Sequence, residues 1–149
     1  MFSSLKSLSR FHDFGVLVLR LAFGLQLVKS SWPYVSSANK LLEFINYLTT
    51  LGFPFPLVGA YVSAYTEFIG GILLLLGLWT RPTAILLVIN FLVAFFLAHI
   101  AVNDTYQNTY PVVNLVAVNV FLLFNGAGKY SVDNRLGERH GRNRNEGLR

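Results

Sequence analysis

PLVGAYVSAYTEFIGGILLLLGLW, residues 56–79, carries one charged side chain, Glu67, in 24 residues. At 1.5 Å of rise per residue, such a stretch as a helix crosses the roughly 30 Å of hydrocarbon in a bilayer. No soluble core of a chain this short has enough polar surface to hide it. The fold therefore turns on lipid as the solvent, and the rest of the sequence agrees. Hydrophobic residues make up 54% of the 149 positions and charged residues only 13%, against about 25% charged in ordinary soluble domains. Between Leu41 and Asn134 the charged residues are Glu43, Glu67, Arg81, Asp104, Lys129 and Asp133.

Three further apolar runs flank the central one. They cover about residues 13–32, 82–102 and 107–125, and with 56–79 they predict an all-α bundle of four transmembrane helices in one integral membrane domain, 1–149. Lys6 and Arg10 precede the first run, as in a signal peptide, but Lys29, Ser30, Ser31 and Trp32 follow it with no small-x-small cleavage site, so it reads as a retained helix. Thr80-Arg81-Pro82 punctuates the second and third runs, and Pro82 suits the first turn of a helix. Gly126-Ala127-Gly128 ends the fourth and leads into a basic tail, 129–149.

The first loop is longer. Leu41, Leu42, Phe44, Ile45, Leu48 and Leu51 recur at helical spacing opposite Asn39, Lys40, Glu43, Asn46 and Thr50. This predicts a short amphipathic helix, about 39–50, lying in the membrane interface or capping the bundle.

Lysine and arginine orient the chain. Lys6, Arg10, Arg81, Lys129 and the tail arginines fall in the three regions that share one side; the opposite side has Lys29 and Lys40. The expectation is a multi-pass membrane protein with both termini cytoplasmic. The net charge of +5 sits mostly in the tails. No nucleic-acid-binding fold surrounds that run, so it reads as a solvated tail rather than a nucleic-acid site.

Four residues form the candidate polar centre. Arg20 and Glu67 each place a charge inside a span, at an insertion cost of about 2.5–3.5 kcal/mol. Counted from their respective membrane faces, both reach towards the bilayer centre, which predicts that they pair. The pair is either a structural tie between two helices or part of a cavity that binds a ligand or moves a proton; the remaining reading leaves the two unpaired or facing lipid. Gly70 and Gly71 beside Glu67, and Gly24 one turn from Arg20, provide small faces for close helix approach. His99, near the outer end of the third span, is read as a packing residue or as a ligand or proton relay. Tyr65 is read as packing or as the wall of a pocket for a flat, quinone-like molecule. Asn90, Asn114 and Asn119 are expected to donate hydrogen bonds between helices.

Several chemistries are excluded. With no cysteine there is no thiolate nucleophile, no Cys-based zinc site and no iron–sulfur cluster. His12 and His140 lie in the arms, so no pair of axial histidines for haem exists within the spans. Glu67 with His99 is too small a ligand set for a metal. No phosphate-binding glycine loop, nucleophile elbow or HExxH motif occurs, and no catalytic residue is assigned.

The run from Ala64 to Arg81, AYTEFIGGILLLLGLWTR, resembles the DoxX family of small four-helix bacterial membrane proteins. Arg20-Leu21-Ala22-Phe23-Gly24 is similar to the family's first-helix motif, and Gly52-Phe53-Pro54-Phe55-Pro56 to the turn before its second helix. Gly126-Ala127-Gly128-Lys129-Tyr130-Ser131-Val132-Asp133 resembles its closing signature. Members often carry His-Gly and then Lys at the outer end of the first helix, where this chain has Ser30-Ser31 and Tyr34. The resemblance implies a bacterial inner membrane and a relation to a subunit of a thiosulfate:quinone oxidoreductase. The function expected from it is a membrane subunit of a redox-linked complex with protein partners, contacting quinone. The alternatives are a small-molecule or proton-coupled transporter or channel subunit, and a non-catalytic scaffold.

Overall fold

A computed structural model describes residues 11–100 and 104–138, apart from the side chain of His99. Lys6, Arg10, His140 and the arginines from Arg139 onward lie outside the described residues, as do Val102 and Asn103.

Four helices long and apolar enough to span a membrane are present, and the protein is an all-α four-span bundle. The elements are α1 (His12–Ser36), α2 (Ala38–Thr50), α3 (Pro56–Leu76), α4 (Thr80–Ala94), continued by π-helical turns over Phe95–Ile100, and α5 (Tyr106–Asn125). A short helix, α6, follows at 132–138. Their inward faces carry a small apolar core of Val16, Leu27, Leu74, Ala84, Leu87, Phe91, Leu115 and Leu122. The outward faces expose Leu25, Ile69, Leu86 and Phe124 among many others, as a lipid-facing surface should.

Three boundaries differ from the sequence reading by two residues or more. The first helix runs through Pro33 to Ser36 rather than stopping at Trp32. Proline removes one backbone donor, but it does so in the last turn, and Ser37 N–H restores a helical bond to Pro33 O at 3.1 Å. The second span ends at Leu76, three residues earlier than expected. Gly77 takes a left-handed φ of 65°. Its N–H bonds Leu74 O at 3.1 Å while Leu78 N–H bonds Leu73 O at 3.0 Å, the Schellman pattern that closes a helix. The third helix then starts at Thr80, which places Pro82 in its first turn.

Adjacent glycines serve two interfaces. A Cβ on Gly71 would meet Gly24 O of α1 at 2.9 Å, whereas a Cβ on Gly70 would meet Leu87 of α4 at 3.1 Å. α3 is thereby packed tightly between α1 and α4. The amphipathic helix α2 forms as expected and buries Leu41. On its exposed side Lys40 and Glu43 pair at 2.7 Å.

Candidate functional site

Arg20 and Glu67 are not partners. The Gly24–Gly71 contact fixes the antiparallel register of α1 and α3, and Gly24 lies against Leu75 while Gly71 lies against Leu27 and Val28. Arg20 is therefore level with the end of α3, and Glu67 with a point about two turns higher on α1. The separation along the helices is about 12 Å, beyond what an arginine side chain spans.

Arg20 is 1% exposed, and its guanidinium is occupied by backbone carbonyls. Nε donates to Leu74 O at 2.9 Å and Nη2 to Leu75 O at 3.2 Å. Nη1 donates to Ala127 O at 2.6 Å and to Tyr130 O at 3.1 Å. The first two acceptors belong to the C-terminal end of α3, where carbonyls lack intrahelical donors and the dipole favours a cation. Asp133 acts on Arg20 as the nearby countercharge.

The same closing segment caps a second helix. Asp133 Oδ1 accepts from Trp79 N–H at 2.7 Å and Oδ2 from Thr80 N–H at 2.9 Å. Its own N–H donates to Gly77 O at 2.9 Å. Trp79 has a φ of 49°, an uncommon conformation for a residue with a side chain, and the Asp133 carboxylate holds its N–H there. Lys129 N–H and Nζ reach Asp13 of α1 at 3.2 and 3.4 Å. Ser131 Oγ accepts from Asn134 N–H at 3.2 Å, an N-cap for α6. Arg20 and the segment 126–133 are thus a clasp joining the ends of α1, α3, α4 and α5.

Glu67 stands in a separate cluster. Its Oε1 accepts from Asn90 Nδ2 of α4 at 3.0 Å and from Ser63 Oγ, one turn back on α3, at 3.4 Å. Among the described residues nothing donates to Oε2, so that oxygen remains an acceptor. Ser63 and Asn90 both line a cavity of about 310 Å³ enclosed by α2, α3 and α4, within the volume range of small-molecule sites. Phe44, Tyr47 and Leu48 of α2 roof it, Phe53 closes one side, and Leu97 and Ala98 of the π-helical turns form part of the wall. The lining contains no Lys or Arg.

Such a site favours an apolar molecule bearing an uncharged polar group. Asn90 keeps a second amide N–H as a donor, Ser63 Oγ can still accept, and the rings of Phe44, Tyr47 and Phe53 form an apolar wall, with Glu67 behind Asn90 and Ser63 rather than on the lining. This donor set fits a quinone-type head, whose carbonyl or hydroxyl oxygens need one or two hydrogen bonds in otherwise apolar surroundings.

The other candidates fall elsewhere. Tyr65 is 41% exposed, stacks on Tyr61 with ring centroids 6.2 Å apart, and lines a neighbouring groove rather than the cavity. Asn90 bridges two helices. Asn119 is buried but donates within its own helix, to Leu115 O at 2.8 Å, and its Oδ1 has no partner among the described residues. Asn114 is exposed on α5. The side chain of His99 lies outside the described residues. Ser63 was missed in the sequence as a site residue. Its signal was the i, i+4 step to Glu67, which puts a hydroxyl and a carboxyl on one helix face. Among the described residues no group of three or more His, Asp or Glu could hold a metal.

Comparison with known proteins gives a consistent picture. A model of the DoxX family matches residues 15–100. The inner membrane protein YphA of Escherichia coli K12 is 28% identical over 142 residues, covering 85% of this chain and 97% of that protein. The inner membrane protein YqjF of the same organism is 28% identical over 134 residues, covering 89% and 99%. An uncharacterized protein of Haemophilus influenzae is 32% identical over 127 residues, covering 78% and 90%. No solved structure matches the chain significantly. The four apolar spans and the matched family model together place this chain in the DoxX family.

Proposed function

We propose that this protein is a membrane subunit of a redox-linked complex, binding a quinone-type lipid in the cavity beneath α2. The observation that supports it most is the Glu67 carboxyl, held by Asn90 and Ser63 beside a cavity of otherwise apolar walls. A carboxyl inside a span costs free energy that a purely structural helix would avoid, and here no cation among the described residues hydrogen-bonds to it. A bound quinone would supply a two-electron, two-proton couple. The chain's own part is to orient the head with Asn90 and Ser63, to keep water out with α2, and to hold or release a proton at Glu67. In this reading electrons pass between the bound quinone and a redox partner protein of the complex.

A transporter reading is less well supported. It needs a polar path between faces, and Arg20, the other intramembrane charge, is occupied by the carbonyls of the clasp.

The proposed orientation puts both termini in the cytoplasm of a bacterial inner membrane. Arg81, Lys129 and Arg135 cluster at the end with the clasp, and Lys29 and Lys40 at the other. The cavity then opens in the outer half of the bilayer.

The test of the ligand reading is equilibrium binding of a short-tailed benzoquinone to the protein in lipid nanodiscs. Wild type should bind saturably, and Asn90→Leu, which removes the hydrogen bonds at similar volume, should bind about tenfold more weakly, the worth of one good hydrogen bond. Non-saturable uptake, the same in both proteins, would contradict the reading.

A further inference from the structure

The cavity continues past Ser63 and Asn90. Val62, Thr66 and Leu86 line it on one side and also line a second hollow of about 290 Å³ on the other. This second hollow is a groove between α3 and α4, bordered further along by Ile69, Gly70 and Leu73. Gly70, with no side chain, lets the Leu87 side chain of α4 approach on one flank, and its missing Cβ keeps the groove floor low. From Val62 to Leu73 the groove follows about three turns of helix, or about 16 Å. It leads from the polar cluster towards the end of the bundle that carries the termini.

We propose that this groove seats the hydrocarbon tail of the lipid whose head occupies the cavity, so that the ligand is a long-tailed lipid with an uncharged, oxygen-bearing head. The inference rests on the ligand reading above and adds the tail site. Three observations support it. Head and tail sites share three lining residues, so one molecule passes from one to the other without crossing a wall. Neither lining contains Lys or Arg, and a phosphate head beside Glu67 would be an unpaired anion next to a carboxyl. That separates this ligand from bulk phospholipid. The amide and hydroxyl of Asn90 and Ser63 lie on the cavity side, whereas the groove beyond the neck is walled mainly by Ile69, Gly70 and Leu73, with Tyr65 and Thr83 its other lining residues. In this arrangement Thr66 and Leu86 form the neck. A tail gains little from leaving lipid for an apolar groove, since both are apolar. The groove therefore acts mainly through orientation, fixing how the head presents itself to Asn90 and Ser63.

The experiment is photolabelling of the full chain in nanodiscs with two benzoquinone probes of identical head. One carries its photoreactive group next to the ring, the other at the end of an alkyl tail as long as the groove. Labelled sites are read by peptide mass spectrometry. The head probe should label around Phe53 and Asn90, and the tail probe around Ile69 and Leu73, both displaced by excess unlabelled long-tailed quinone. Thr66→Phe and, independently, the lipid-facing Leu86→Trp narrow the neck. In each, tail labelling at Ile69 and Leu73 should be lost while head labelling persists. Tail labels scattered over the lipid-facing sides of all four spans would overturn the tail site alone. Tail labelling unchanged in both neck variants would do the same. Absence of displaceable head labelling in wild type would instead overturn the ligand reading on which it rests.

Discussion

Gly24 and Gly71 meet backbone to backbone: a Cβ on either would sit 2.9 Å from the carbonyl oxygen of the other. That contact sets the register of the first and third helices, and the register decides which charges meet. It brings Arg20 to the end of α3 and leaves Glu67 to Ser63 and Asn90. The bundle thus has a structural polar site and a candidate ligand site, about two turns apart along α3.

Substituting either glycine tests this register. Gly71→Val should cost about 1–3 kcal/mol or more, because overpacking here presses on backbone rather than on a flexible side chain. Gly15→Ala is the control. Gly15 lies in α1 with nothing within 4 Å of its would-be Cβ, so alanine should be neutral or stabilise by up to about 1 kcal/mol through helix propensity. Thermal unfolding in detergent reads both; equal losses would contradict the close contact.

Arg20→Gln should destabilise the protein by about 3–5 kcal/mol, since it removes four hydrogen bonds to carbonyls, of which Leu74 O keeps a second donor in Gly77 N–H. Its coupling to Glu67→Gln should be close to zero, the two effects adding within about 0.5 kcal/mol as for separated sites. Coupling to Asp133→Asn should be well above that. A strong Arg20–Glu67 coupling in the double-mutant cycle would revive the ion pair.

Asp133 holds the turn between α3 and α4 by two backbone bonds. Asp133→Asn keeps the shape but weakens acceptance from Trp79 and Thr80, costing about 1–2 kcal/mol, as for loss of a helix cap. Amide exchange at Trp79 and Thr80 should quicken. In the otherwise intact protein Trp79→Gly should relieve the positive φ and stabilise the turn. Unchanged exchange in Asp133→Asn would show that another group holds the turn.

The fold was legible because span length and apolarity are local properties. Residues 56–79 declare a membrane helix without reference to anything else, and the same holds for the amphipathic periodicity of Leu41 to Leu51. The small faces at Gly24 and Gly70-Gly71 were legible as well. What they do together was not. Depth counted from each membrane face put Arg20 and Glu67 near one level, but helix register is a relation between two elements, and an offset of two turns separates partners from strangers. Arginine length also misled: the side chain reaches back towards its own membrane face to satisfy carbonyls at the α3 terminus. Asn90 was legible as an interhelical donor. Asn119, with the same residue type in the same setting, bonds within its own helix, a choice made by local packing that spacing does not encode.

Orientation is tested by reporter fusions at both termini. The lysine and arginine distribution predicts that both reporters are active in the cytoplasm and silent outside. A terminus accessible from outside intact cells would invert the bundle and place the cavity in the inner half of the bilayer.

The most direct test of the ligand site is the inventory of lipids that the protein retains through mild-detergent purification. Organic extracts of wild type are compared by mass spectrometry with those of Ser63→Phe/Asn90→Leu, which fills the cavity and removes its donors. The account predicts a quinone-type lipid, or another lipid with an uncharged oxygen-bearing head, enriched in wild type and lost from the variant while the thermal stability of the clasp end is retained. The same lipids in the same proportions from both proteins would contradict it.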